Sequence, residues 1–334
     1  MFMTIVAAVI IFGMLVILHE FGHLAAAKSV GIRVNQFALG MGPVIFKKQK
    51  GETEYSIRAL PLGGFVKLEG EDEDSFDERS FNSKSIPARM MVLAAGSIMN
   101  LIFAILLIII LFFINGFPTN EIGSVVEGNP AQIAGLRAGD EIVEIQGNEI
   151  KSWEDTVNAI SKSTGSQISI TIDRDGAIQT IVTNIITDED GRRIIGIIPA
   201  NETSFFRSVS EGTKYAFMMI GVMLDFLVGI FKGQASTSDV VGPVGIFHLV
   251  GEAAKMGLVY VINFTAMISM NLAVINLLPF PALDGGRLLL LAVQGITGKK
   301  IDPEKEGFIH FVGFVILIGL MLLVTFRDVE RFIL

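Results

Sequence analysis

A chain of 334 residues is long enough for two or three domains, but 51% of its residues are apolar and only 18% charged, against about 25% charged in soluble domains. With a mean hydropathy of +0.59 it reads as a membrane protein. A net charge of −8 with no basic patch excludes nucleic acid as a partner, and the absence of cysteine excludes disulfides and restricts any metal site to nitrogen and oxygen ligands.

Four charge-free runs, residues 1–18, 91–120, 256–283 and 307–326, each reach the length that crosses the hydrocarbon core. The first could instead be a signal peptide cut near Ala25-Ala26-Ala27. It lacks a basic leader and is longer than such a segment's apolar core. Lys and Arg set the orientation. Ten fall between Lys28 and Arg89 and four between Arg287 and Lys305, but only six in the 89 residues from 116 to 204. Cytosolic loops carry the excess. Residues 28–90 and 287–306 are therefore expected inside, and 116–255 outside.

In chain order the expected segments begin with a first span at 1–27, which ends in His19-Glu20-Phe21-Gly22-His23. The cytosolic loop 28–90 carries strand signals at 44–46 and 55–60 around a Lys50-Gly51-Glu52 turn, followed by Leu62-Gly63-Gly64-Phe65-Val66. This is a hairpin beside the membrane with an exposed edge, next to an acidic run at Glu71, Asp72, Glu73 and Asp74. A second span, 91–117, leads to a small α+β module at 118–203. Its strand-like runs are 122–126, 141–145, 168–173, 179–185 and 194–198, with an Asp175-Gly176 hairpin turn and a helix capped by Ser152 and ending near Lys162. Residues 204–255 are expected to hold an amphipathic surface helix over 205–232, then a polar break at 235–239. A fifth span competes with that reading, since only Asp225 interrupts 215–231. A third span at 256–286, a cytosolic loop at 287–306, a fourth span at 307–327 and a tail at 328–334 follow.

HExxH puts two imidazoles one helical turn apart on the same face, where both reach one Zn²⁺, and sets Glu20 beside them as a base for a metal-activated water. By chance the motif appears on the order of once in a hundred chains of this length. Its position strengthens it, because ionisable residues at the end of a span are costly and mark function. A catalytic zinc needs a third ligand. Asp284 is the candidate, at the inner end of the third span in Asn276-Leu277-Leu278-Pro279-Phe280-Pro281-Ala282-Leu283-Asp284-Gly285-Gly286. Two prolines there break the helix, and non-helical backbone at membrane depth lines a cavity or is buried in protein. The rival ligand His310 has no partner at helical spacing and reads as a packed or interfacial histidine. His248 falls on the opposite side.

These residues resemble the site-2 protease family of intramembrane metalloproteases (peptidase M50), closest to its bacterial RseP-like branch that carries a PDZ domain. The resemblance covers nearly the whole chain. It runs through HEFGH, Gly40-Met41-Gly42-Pro43, Leu60-Pro61-Leu62-Gly63-Gly64-Phe65, the central module, Gly242-Pro243-Val244-Gly245, and Asn276 through Gly286. It implies a multi-pass α-helical membrane protein with four transmembrane helices, a cytosolic membrane-associated β-hairpin and an extracytoplasmic α+β PDZ domain. It also implies one Zn²⁺ held by His19, His23 and Asp284, with Glu20 as general base. Substrate contacts would come from Asn276, Pro279, Pro281 and from Gly63, Gly64 and Phe65 of the hairpin. The family often has Gly-Pro-x-x-Asn in the second span; here Gly96-Ser97-Ile98-Met99-Asn100 lacks the proline.

The substrate implied is a single-span membrane protein, such as an anti-sigma factor or a signal-peptide remnant, in the inner (plasma) membrane of a bacterium. The site would lie near the cytosolic face. Gly135 through Ile142 is similar to a PDZ signature. The groove strand is taken as 194–198, with Ile194, Gly196 and Ile198, in preference to 122–126. The groove either binds a peptide or serves only as a size filter. A silent metal scaffold, a transporter and a different HExxH protease with a glutamate ligand are the rival classes.

Overall fold

The structure is a computed structural model that describes residues 2–71, 75, 77–188, 191–233, 240–299 and 302–332. The acidic run at Asp72, Glu73 and Asp74 and the polar break at 235–239 lie outside the described residues. In chain order, α1 (Phe2–Ser29) is followed by β1 (Val34–Lys50), β2 (Thr53–Leu68), a 3-10 turn at Phe81–Ser83 and α2 (Ile86–Asn115). Then come β3 (Phe117–Val125), α3 (Pro130–Ile133), β4 (Glu141–Ile145), β5 (Asn148–Glu149) and α4 (Trp153–Lys162). They are followed by β6 (Gln167–Arg174), β7 (Ala177–Asn184), β8 (Ile186–Thr187), β9 (Arg193–Ile194) and β10 (Ile197–Glu202). The remaining helices are α5 (Phe205–Phe231), α6 (Pro243–Met256), α7 (Leu258–Asn276), α8 (Asp284–Thr297) and α9 (Pro303–Phe332). The chain divides into two units, one of Met1–Leu111 with Gly212–Leu334 and the other of Phe112–Glu211.

In the first unit the helices are apolar on most faces, as lipid demands. Five described helices, not four, are long and apolar enough to cross a membrane: α1, α2, α5 over Phe205–Ile230, α7, and α9 over Glu304–Phe332. The addition is α5, expected as a surface helix and the least apolar of the five. Helix α2 begins at Ile86 rather than at 91. Arg89 is tolerated in its first turns because its guanidinium lies over the Phe81 ring, 4.8 Å from the centroid. Helix α9 runs through Phe332, so residues 328–332 of the expected tail are helical. The buried Asp328 accepts hydrogen bonds from Gly242 N (3.2 Å) and Gly245 N (2.7 Å), which satisfies amides at the start of α6.

Helices α1 and α7 share a core of Ala8, Ile11, Leu15 and Ile268, with Val250 of α6 between them. Helices α1 and α2 approach closely because each offers a glycine at the crossing. A Cβ on Gly22 would collide with the Ala95 carbonyl, and one on Gly96 with both motif histidines. Small residues are how helices reach such contact in lipid. The hairpin of β1 and β2 is longer than expected and folds back on itself. Residues 36–39 pair with 64–67 on one side and with 54–57 on the other, and 54–57 pair in turn with 46–49. Among the described residues, 64–67 is therefore left with one unpaired edge.

The second unit holds a sheet in the order β10-β3-β4-β6-β7, with β5 on β4 and a separate β8-β9 ladder. Its core is isoleucine-rich: Ile168, Ile170 and Ile172 alternate inward along β6 and pack with Ile122, Ile142 and Ile145. Asp175 and Gly176 both have positive φ, the geometry of the tight turn between β6 and β7. The Gly135–Ile142 segment is organised by Asp140, which is 1% exposed. Its carboxylate takes two bonds from Arg174 (2.7 and 2.8 Å) and one from the Arg137 amide (2.8 Å). Burial works against that carboxylate, but the guanidinium and the amide outweigh it and hold its pKa below the ordinary value.

One expectation about this unit is corrected. The strand 194–198 is broken: Ile194 ends β9, Gly196 turns at φ 86°, and Ile198 lies in β10 paired with β3. The break occurs because Ile195 is drawn into the core and the carbonyls of Ile195 and Gly196 accept from Ala131 and Val126. A Cβ on Gly196 would stand 2.7 Å from Asn129 Cγ, so glycine is required there sterically as well.

Candidate metal centre

Helix α1 carries the HExxH motif in its last three turns. The Nε2 atoms of His19 and His23 are 3.2 Å apart. Asp284 Oδ2 stands 3.4 Å from the first and 3.6 Å from the second. Four ligands at about 2.0–2.1 Å from a tetrahedral zinc are separated by about 3.3–3.4 Å. The three atoms therefore already occupy the corners of such a site and leave the fourth open. Among the described residues, His19, His23 and Asp284 form a group that could hold a metal ion. Asp284 Oδ2 is buried without a hydrogen-bond partner. A bare carboxylate oxygen facing two imidazole nitrogens fits a cation between them.

The backbone brings Asp284 there in a specific way. Helix α7 stops at Asn276, and α8 begins at Asp284. Gly285 and Gly286 nest against the carbonyls of Leu277, Leu278 and Phe280, where any Cβ would collide. Ala282 sits at φ 75°, strained for a residue with a side chain. Helix α9 braces this loop: Gly313 packs on Pro281, and Ala282 N donates to His310 Nδ1 at 2.9 Å.

Helix α2 supplies the outer support. His23 Nδ1–H donates to the Val92 carbonyl at 2.8 Å, which leaves Nε2 bare for a metal. Asn100 is 1% exposed, and its amide lies 3.5 Å from His19 Nδ1. Its Oδ1 is a buried acceptor with no partner. Turning the amide over offers that oxygen to a His19 Nδ1–H, the tautomer that frees Nε2. Between these supports, a Cβ on Gly96 would meet His19 Cε1 and His23 Cδ2 at 2.8 Å.

The group opens on a cleft of about 540 Å³ whose lining includes Glu20, Gly64, Phe65, Arg287 and His310. Gly64 brings the unpaired strand edge against α1, since a Cβ there would lie 3.0 Å from Glu20 Cγ. Arg287, one turn along α8 from Asp284, pairs with Glu71 at the cleft wall. Asn276, Pro279, Pro281 and Gly63 are not among the lining residues. The two prolines shape the loop that carries Asp284, and Gly63, at φ 74°, shapes the strand that carries Gly64. His310, expected as a packed or interfacial histidine, is packed against the loop that carries Asp284. It also lines the cleft, and its Nδ1 accepts from the Ala282 amide of that loop. Sequence reading missed Val92, whose contribution is a backbone carbonyl, and it gave no role to Gly96.

The model of peptidase family M50 matches residues 7–320. The chain belongs to peptidase family M50. M50 peptidases are metallopeptidases, and this chain is one. A Clostridium acetobutylicum protein named as a zinc metalloprotease is 39% identical, with 98% of each chain covered. The regulator of sigma-W protease RasP of Bacillus subtilis is 32% identical, again covering 98% of each. The PDZ domain of an SdrC-like protein from Listeria innocua is 29% identical, covering 26% of this chain and 96% of that one, with a TM-score of 0.23.

Proposed function

We propose that this M50 peptidase is an intramembrane zinc endopeptidase that cleaves single-span membrane proteins, with His19, His23 and Asp284 holding one zinc ion and Glu20 as general base. The observation that carries this is the convergence of three ligand atoms at tetrahedral spacing, from α1 and from the start of α8, beside Glu20. Bound zinc supplies a polarised carbonyl and a water of lowered pKa. Glu20, one residue along the helix from His19, takes the water's proton and returns it to the leaving amine. A transmembrane substrate hides its peptide bonds in a helix, so it must be unwound to be cut. The free edge of 64–67 can hold it extended by adding it as a strand.

Four of the five long apolar helices are taken as crossings, with α5 on the surface. Helices α1 and α7 run side by side toward the metal group. Helix α6 starts beside Asp328, far along α9 from the cleft, and later lays Gly251 against Thr4 at the opposite end of α1 from the motif. Both ends of α6 thus lie at the level away from the site. Early in α5, Gly212 abuts Ile109 near the end of α2. With the end of α2 before it and the start of α6 after it on that side, α5 is taken as a surface helix. With Lys and Arg inside, the site lies near the cytosolic face of a bacterial inner membrane and the 118–203 module outside. By likeness to a protease named for regulating sigma-W, the substrates are membrane-anchored regulators such as anti-sigma factors, or signal-peptide remnants. The module screens them, by size or by taking a peptide strand.

Zinc per chain in the purified protein tests the ligand set. Wild type and Glu20→Gln should each hold about one zinc, and Asp284→Ala should hold almost none. Glu20→Gln should also lose cleavage by about 10²-fold or more. Zinc retained in Asp284→Ala would remove the third ligand, and cleavage by Glu20→Gln would remove the base.

A further inference from the structure

We propose that His310 is a substrate-binding residue whose Nε2–H donates a hydrogen bond to a carbonyl oxygen of the peptide in the cleft. The inference deepens the reading of that cleft as a peptidase site and rests on it.

The tautomer comes first. Ala282 N–H donates to His310 Nδ1 at 2.9 Å, so Nδ1 is the acceptor and the neutral ring carries its proton on Nε2. That nitrogen is buried and has no hydrogen-bond partner. The nearest charged group on its own helix, Glu306, has its Oε1 4.0 Å away, beyond hydrogen-bond range. A buried donor left unmet is unfavourable and uncommon in native proteins.

Its location supplies the explanation. His310 lines the same cleft as His19, Glu20, His23 and Asp284. An extended peptide in that cleft brings backbone carbonyls, which are acceptors. The neighbouring cation on the wall, Arg287, is engaged with Glu71. His310 is therefore a fixed neutral donor beside the reacting centre. Its second nitrogen is anchored by the loop that carries a metal ligand. Anchoring explains why the ring is oriented; it does not explain a buried N–H left without a hydrogen-bond partner on a residue of the cleft wall.

The two nitrogens can be separated by isosteres in the full-length chain. His310→Asn keeps an acceptor at the position of Nδ1 and removes the donor. His310→Gln keeps an amide donor near the position of Nε2. The probe is a fluorogenic peptide with one transmembrane segment that wild type cleaves. His310→Asn should hold about one zinc, like wild type, and lose roughly 10- to 100-fold in kcat/KM. His310→Gln should recover most of that loss. Wild-type kcat/KM in His310→Asn would overturn the proposal. So would zinc lost from both variants together, since the ring would then serve only to shape the Asp284 loop. Zinc absent from wild type would bring down the peptidase reading itself, and the proposal with it.

Discussion

The two units of this chain treat buried polar groups in opposite ways. In the second unit Asp140 is sealed from water, yet both of its oxygens are bonded, to Arg174 and to the Arg137 amide. In the first unit Asp284 Oδ2, Asn100 Oδ1 and His310 Nε2 are buried with no hydrogen-bond partner. All the buried unpartnered side-chain atoms among the described residues fall in that unit. A saturated polar network fixes a fold, whereas an unsaturated one in a cleft is completed by something the chain binds.

The largest effect that sharpens this contrast is expected at Gly96. Gly96→Ala inserts a Cβ into the two motif histidines. It should weaken zinc binding by roughly 10- to 100-fold, as losing a ligand's support does. Equilibrium dialysis against a zinc chelator measures it, and unchanged affinity would mean that α2 does not constrain the site.

Asp140→Ala should act only on the other unit. Trp153 is the chain's single tryptophan and opens α4, so its fluorescence reports unfolding of this unit. The transition should fall by roughly 10 °C, with zinc content unchanged. The pH dependence follows from the lowered pKa of Asp140. Its stabilisation should be full above about pH 4 and fade as the pH drops further, because the unfolded carboxyl is protonated first. A wild-type transition that holds level under acid would contradict this.

The smallest effect is at the helix start. Ser152 Oγ accepts from Asp155 N at 3.2 Å. Ser152→Ala should cost about 1 kcal/mol, seen in the same tryptophan signal and absent from cleavage rates.

Much of this architecture is written in local spacing. Apolar runs, the i, i+4 histidines, the alternating isoleucines of β6 and the Asp175-Gly176 turn each act within a few residues, so they can be read from the sequence. Asp284 was legible as a ligand candidate because charge asymmetry put it at the same face as the motif. Contacts between distant segments were not legible. Whether residues 194–198 form one strand depended on the core taking Ile195. The roles of Val92, Gly96 and Asn100 depended on how α2 crosses α1. His310 meets the Pro281–Asp284 loop only because α9 packs on it, which sets one ring nitrogen against a backbone amide and leaves the other buried without a hydrogen-bond partner. Periodicity determines which face a residue shares; packing alone decides what that face meets.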